Sequence, residues 1–174
     1  MNLTPVFFLL LAAVSVSAQQ SFVNKKGGYK ITVPEKWKVE QEGEITSVYA
    51  PDEGEMDTWQ EKIEVSLTDA NDLNLDEAFE FYIEQDLPAM YNGLKIEHQG
   101  NELINGEKTK WAVISFAGSG TVGTTEVSFT LHNLFYLFHK NGKLYMLNGI
   151  AEKSYYPKLE NHFLEIVRSF QFTK

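Results

Sequence analysis

The chain has 174 residues, a formal net charge of -9 and no cysteine. The negative excess repels phosphate backbones and anionic lipid headgroups, which argues against nucleic acid and against a membrane-surface role. Without cysteine there is no disulfide, no thiol nucleophile, no lipid-modified terminal cysteine and no Cys-ligated zinc or iron–sulfur centre.

Residues 1–18 read as a signal peptide. Val6 to Val14 form a short apolar stretch, and Val16 and Ala18 are small residues placed for cleavage before Gln19. The stretch falls short of the about 20 residues a membrane helix needs, so no stable membrane anchor is expected after cleavage. Export together with the lack of disulfides points to a bacterial protein, periplasmic or secreted. Residues 19–174 show no repeat, low-complexity run or linker and read as one domain.

Alternation of Tyr29, Ile31 and Val33 with polar neighbours predicts a strand ending at Pro34, and Ile45 to Ala50 predicts a second, stopped by Pro51. An acidic loop, Asp52 to Thr58, leads past Trp59 to a half-exposed strand carrying Ile63, Val65 and Leu67. Asn74 is placed to cap a helix, with Glu77 at the acid position of a capping box. Leu75, Phe79, Tyr82, Ile83, Leu87 and Met90 form its apolar face, and Pro88 is expected to kink or end it near Leu87.

Four strands are then expected. Lys95–Ile104 and Lys108–Phe116 are joined by the hairpin dipeptide Asn105-Gly106. A flexible loop, Gly118 to Thr125, precedes Val127–His139, which is apolar on both faces and needs cover on both sides. Asn141-Gly142 turns into Lys143–Ile150, and a last helix runs from about Tyr155 to Ser169 with a stripe of Tyr156, Leu159, Phe163, Ile166, Val167 and Phe170. Hairpins around a two-faced central strand, with one early and one terminal helix, predict an α+β fold. Its expected form is an α/β/α sandwich around a twisted, mostly antiparallel sheet.

Tyr29-x-Ile31-x-Val33-Pro34-x-x-Trp37, Ala50-Pro51, Ile104-Asn105-Gly106 and Phe163-x-x-Ile166-x-x-Ser169-Phe170 occur in this order. In these landmarks the chain resembles the PsbP-like superfamily, which includes DcrB-like bacterial exported proteins, over Tyr29 to Phe172. The resemblance implies an assembly or regulatory module that binds other proteins, and it brings no catalytic residues to carry over.

Each chemical motif has a plainer structural account. His132 and His139 lie seven apart and so on opposite faces of a strand; a metal site across strands from His98 and His132 is less expected than isolated strand histidines. Gly118-Ser119-Gly120 lacks the spacing of a nucleophile elbow and the Lys of a P-loop. Asp69 to Asp76 departs from the calcium-loop pattern at Leu73, Asn74 and Glu80 and suits Asx-turns and a helix cap. Asp52, Glu53, Glu55 and Asp57 sit in a charge-dense loop, where a carboxyl is hydrated and not tuned for acid–base work. No catalytic residue, metal or cofactor is therefore expected. The expected function is a non-catalytic envelope protein that binds a protein partner or a small ligand, with Asp57, Trp59, Ser119 and Thr121 as the candidate contact residues on two loops. The alternative is a hydrolase, or a small-ligand-binding protein, whose site is assembled from scattered residues.

Overall fold

In the computed structural model, residues 19–51, 59–122 and 124–173 are described, the side chains of 121 and 122 excepted. The leader expected at 1–18 and the acidic loop with Asp57 lie outside these residues. In chain order the elements are β1 (Gln19–Asn24), β2 (Tyr29–Pro34), β3 (Lys38–Glu42), β4 (Ile45–Tyr49), β5 (Lys62–Asp69), α1 (Leu75–Phe81), a π-helical segment (Tyr82–Asp86), α2 (Leu87–Met90), β6 (Lys95–Ile104), β7 (Glu107–Val122), β8 (Thr125–Lys140), β9 (Lys143–Glu152), α3 (Tyr156–Ser169) and β10 (Gln171–Phe172). A seven-stranded antiparallel sheet has the order β3-β4-β5-β9-β8-β7-β6, and a small antiparallel sheet has the order β1-β2-β10.

The two faces of β8 explain the layers. Leu134, Tyr136 and Phe138 point to one side and join a core with Tyr29, Ile31 and Val33 of β2 and with Phe163, Ile166 and Val167 of α3. Leu131, Phe135 and Leu137 point to the other and pack against Ala78, Phe79, Ile83 and Leu87 of the first helical rod. Both faces of the central sheet are thus covered, as an all-apolar strand requires. Burying each large side chain stabilises the fold by about 1.5–3 kcal/mol relative to exposure.

Local chemistry sets the ends. The Asn74 side chain accepts from the backbone N–H groups of Asp76 and Glu77, while Glu77 accepts from the Asn74 N–H, closing the capping box. Pro88 widens the helix where an end or a kink was expected. Its ring displaces the preceding carbonyls, and the turn before it is π-helical, with the Leu87 N–H bonded to the Tyr82 carbonyl. Asn105 and Gly106 both have positive φ (50° and 84°), as the tight hairpin demands. The Asn105 side chain also donates to the carbonyls of Arg168 (2.9 Å) and Phe170 (2.8 Å), so the β6–β7 turn caps the C-terminus of α3.

Three strands lie beyond the sequence expectation. β1 and β3 are polar edge strands, formed by pairing with β2 and β4, and β10 adds two residues to β2. Of the segment expected as a flexible loop, Gly118 to Thr125, residues Gly118 to Val122 and Thr125 instead belong to the outer end of the β7–β8 ladder, with Gly118 opposite Phe129 and Val122 opposite Thr125.

Candidate functional site

Cross-strand register places Gly100, Trp111, Tyr136, Leu147 and Val65 in one row across β6, β7, β8, β9 and β5. All belong to the α3 face. Seven strands about 4.8 Å apart are wider than one helix of about 10 Å. α3 rides over β9 and β8, seated where Phe163 lies on Gly149; a Cβ there would meet the ring at 2.8 Å. The β2 sheet covers the far side. The β6–β7 end of the row is left open beside the helix.

This opening is a groove of about 450 Å³, within the range of ligand sites. Trp111, Val113, Leu134 and Tyr136 form its floor. Glu160, Leu164 and Arg168, one stripe at four-residue spacing, form the helix wall, and His98, Asn101 and Glu102 form the strand wall. Trp111 is half-buried, and its ring lies nearly parallel to that of Tyr136, 24° apart with centroids at 6.4 Å. A Cβ at Gly100 would come within 3.0 Å of the indole, so the ring rests on bare backbone.

Polar groups line the groove ends. The Tyr136 hydroxyl donates to Glu102 Oε1 at 2.6 Å. Burial, then the hydrogen bond and charge of Glu102, push this phenol far above its ordinary value, and Arg168 acts weakly in the other direction. Tyr136 is therefore a fixed hydrogen-bond donor. Near the start of α3, burial and then the Glu160 charge raise Tyr156 in the same way; its hydroxyl lies beside Glu160 without a hydrogen bond of ordinary geometry. The β6 ladder slips between Ile96 and His98, leaving Glu97 as the extra residue, and its carboxylate lies 3.6 Å from His132 Nε2. His132 also packs on Tyr156, with ring centroids 5.2 Å apart.

Ser115 is the register partner of His132, so serine, histidine and glutamate side chains gather at one point. Their geometry is not that of a nucleophile and its base. His132 Nε2 makes no hydrogen bond and faces the carboxylate, and both Ser115 and His132 are buried and outside the groove lining. His98 pairs in register with Val113, two positions along from the His132 level. Among the described residues no three His, Asp or Glu side chains converge as metal ligands.

Of the residues nominated from sequence, Trp59 falls on the opposite face, while Ser119 keeps the strand parity of Trp111 and Ser115 and lies on the α3 face beyond the groove. Trp59 is half-buried against Phe129, centroids 6.0 Å apart, at the edge of the core under the first helical rod. Phe129 in turn lies across Gly118, where a Cβ would meet its ring at 2.7 Å. The structure therefore brings Trp59 to the root of the β7–β8 ribbon. Ser119 faces Ser128 on that ribbon, and Thr121 pairs through its backbone with Glu126; Asp57 lies outside the described residues. Sequence reading missed the groove. A signal for part of it was present: counting back from the Asn105-Gly106 turn places Gly100 opposite Trp111. The chain's single arginine, Arg168, was a second one.

A model of the PsbP family matches residues 17–172. Among solved structures, the fold is similar to that of cyanobacterial PsbP (CyanoP) from Synechocystis, with a TM-score of 0.58, 16% identity, and 93% of this chain and 96% of that one covered. It is similar to LpqN of Mycobacterium tuberculosis, a protein involved in cell envelope biogenesis, with a TM-score of 0.63, 12% identity, and 90% and 91% covered. PA94 from Pseudomonas aeruginosa matches with a TM-score of 0.56 and 14% identity over 87% of this chain and 94% of that one. At these identities the likeness is one of fold. No curated protein matches the sequence. The family match covers nearly the whole chain, and the chain belongs to the PsbP family.

Proposed function

We propose that this PsbP-family chain is an exported, non-catalytic binding module of the cell envelope, and that its partner or ligand is taken into the groove between α3 and β6. One observation carries the reading. The groove joins an apolar, largely aromatic floor to a rim whose polar groups are positioned as contacts: a phenol held as a donor, two carboxylates and one guanidinium. That is the composition of a recognition site. The leader-like residues 1–18 support export, and the fold shared with LpqN, itself involved in cell envelope biogenesis, is consistent with an envelope role.

Leu164 is half-buried on the groove wall, so Leu164→Lys fills the groove with little loss of core. Capture from a native envelope extract, read by mass spectrometry, is expected to lose bound species in this variant while the melting temperature stays within a few degrees. An unchanged set of bound species overturns the groove as the binding site. Intact mass of protein from an envelope fraction is expected to start at Gln19; a mass retaining Met1 to Ala18 overturns export.

The gathering of Ser115, His132 and Glu97 favours a second reading, a hydrolase. Turnover of small esters that disappears in His132→Ala would replace the non-catalytic reading with that one.

A further inference from the structure

We propose that the groove beside α3 takes a small organic cation with an apolar body, such as a substituted ammonium. The inference rests on the reading of this groove as a binding site and names the chemistry of its occupant. The floor offers the π face of the half-buried Trp111, which lies in one register row beside the nearly parallel, buried ring of Tyr136. A cation is drawn to such faces, most strongly to tryptophan. The indole rests on Gly100 at the strand edge, so β6 adds no side chain over it at that level.

Charge points the same way. Glu102 is fixed toward the aromatic row by the Tyr136 hydroxyl at 2.6 Å. Glu160 adds a second carboxylate on the helix wall, at the Tyr156 end of the groove, and the chain as a whole carries a net charge of -9. Neither carboxylate is neutralised by a lysine or arginine within ion-pair distance among the described residues. Val113, Leu134 and Leu164 supply an apolar bed for the remainder of the ligand. Arg168 is the opposing group. It stands two helical turns from Glu160, about 12 Å along the axis, at the Glu102 end of the wall. A cation is repelled there and an anion attracted, which gives the test its sign.

The probes are phenethyltrimethylammonium and its carboxylate counterpart, 3-phenylpropionate, titrated into the protein spanning residues 19–174. The indole N–H resonances of the three tryptophans, assigned by single Trp→Phe substitutions, are the readout. The cation is expected to shift the Trp111 signal and leave that of Trp37 in place, more weakly at high salt. Glu102→Gln and Glu160→Gln are each expected to weaken binding about two- to fivefold, and Arg168→Gln to tighten it by a similar factor. A carboxylate that binds more tightly than the cation, with Arg168→Gln weakening it, overturns the cation proposal and leaves the groove a binding site. No shift at Trp111 with either probe also overturns the proposal, while capture by Leu164→Lys judges the groove separately.

Discussion

Two tyrosines on the same side of the sheet have opposite surroundings. Tyr29 is fully buried, and its hydroxyl donates to Thr46 Oγ1 at 2.7 Å while accepting from Asn24 Nδ2 at 3.1 Å. Asn24 Nδ2 reaches Thr46 as well, and Asn24 Oδ1 accepts from the Gly27 N–H. Every member is neutral and the network is closed, which ties the small sheet to the large one. Tyr136 also hides its ring, but its hydroxyl holds a single carboxylate at the lip of an open groove. A closed neutral network is what a fold needs to bury polar groups. A carboxylate held by one phenol at a cavity mouth contributes little to stability and aims a charge at whatever enters.

The comparison breaks most severely if the helix shared by both regions is loosened. Phe163→Ala removes a fully buried ring that packs at right angles to Trp37 and sits on Gly149. It is expected to cost about 3–5 kcal/mol in denaturant unfolding. A loss under about 1 kcal/mol would mean that α3 is not docked in this way.

Alkali tests both tyrosines together. Burial is the first cause raising Tyr29, Tyr82, Tyr91, Tyr136, Tyr145 and Tyr156. The folded state then keeps phenolic protons that the unfolded chain releases above about pH 10. Above that pH the unfolded state binds fewer protons, so stability is intact below pH 10 and falls as pH rises beyond it. Urea midpoints are expected to drop steadily from pH 10 upward, less steeply in Tyr156→Phe. A flat profile to pH 11.5 would contradict the buried phenols.

Single polar substitutions sharpen the contrast. Thr46→Val keeps the shape but leaves the Tyr29 hydroxyl without its acceptor, with an expected cost of about 1–3 kcal/mol. Tyr136→Phe frees Glu102, which is half-exposed and rehydrates, so its cost should stay below about 1 kcal/mol. Equal losses in the two variants, measured by denaturant unfolding, would erase the distinction between network and lip.

Much of this fold was legible in the sequence. Asn74 with Glu77, the two Asn-Gly turns and the two-faced strand at Val127–His139 each carry their structure locally. What escaped depends on partners. Lys38–Glu42 has one apolar residue and becomes a strand because β4 lies beside it. Gly118 and Gly120 read as flexible, yet Phe129 covers the first of them from the neighbouring strand and the ladder continues. Pro88 signals a disturbed helix, but whether the helix ends or widens is decided by the packing of Ile83 and Leu87 on the sheet. The groove was hidden for the same reason. Trp111 and Tyr136 are 25 positions apart, and only the register of β7 on β8 makes them neighbours.

The turn at Asn105 has a consequence for the ageing of the protein. Asn-Gly pairs are the sites where an asparagine amide is most readily lost, through attack by the following backbone nitrogen on the side chain. The two carbonyls of α3 that hold the Asn105 amide also hold it away from that attack. Asn141, in the sister turn, is exposed and has no such tether. Stored protein should therefore deamidate at Asn141, and at the equally exposed Asn92-Gly93 pair, before Asn105. Conversion at Asn105 would replace a donor by a carboxylate facing the negative end of α3, and would loosen the helix end that carries Arg168.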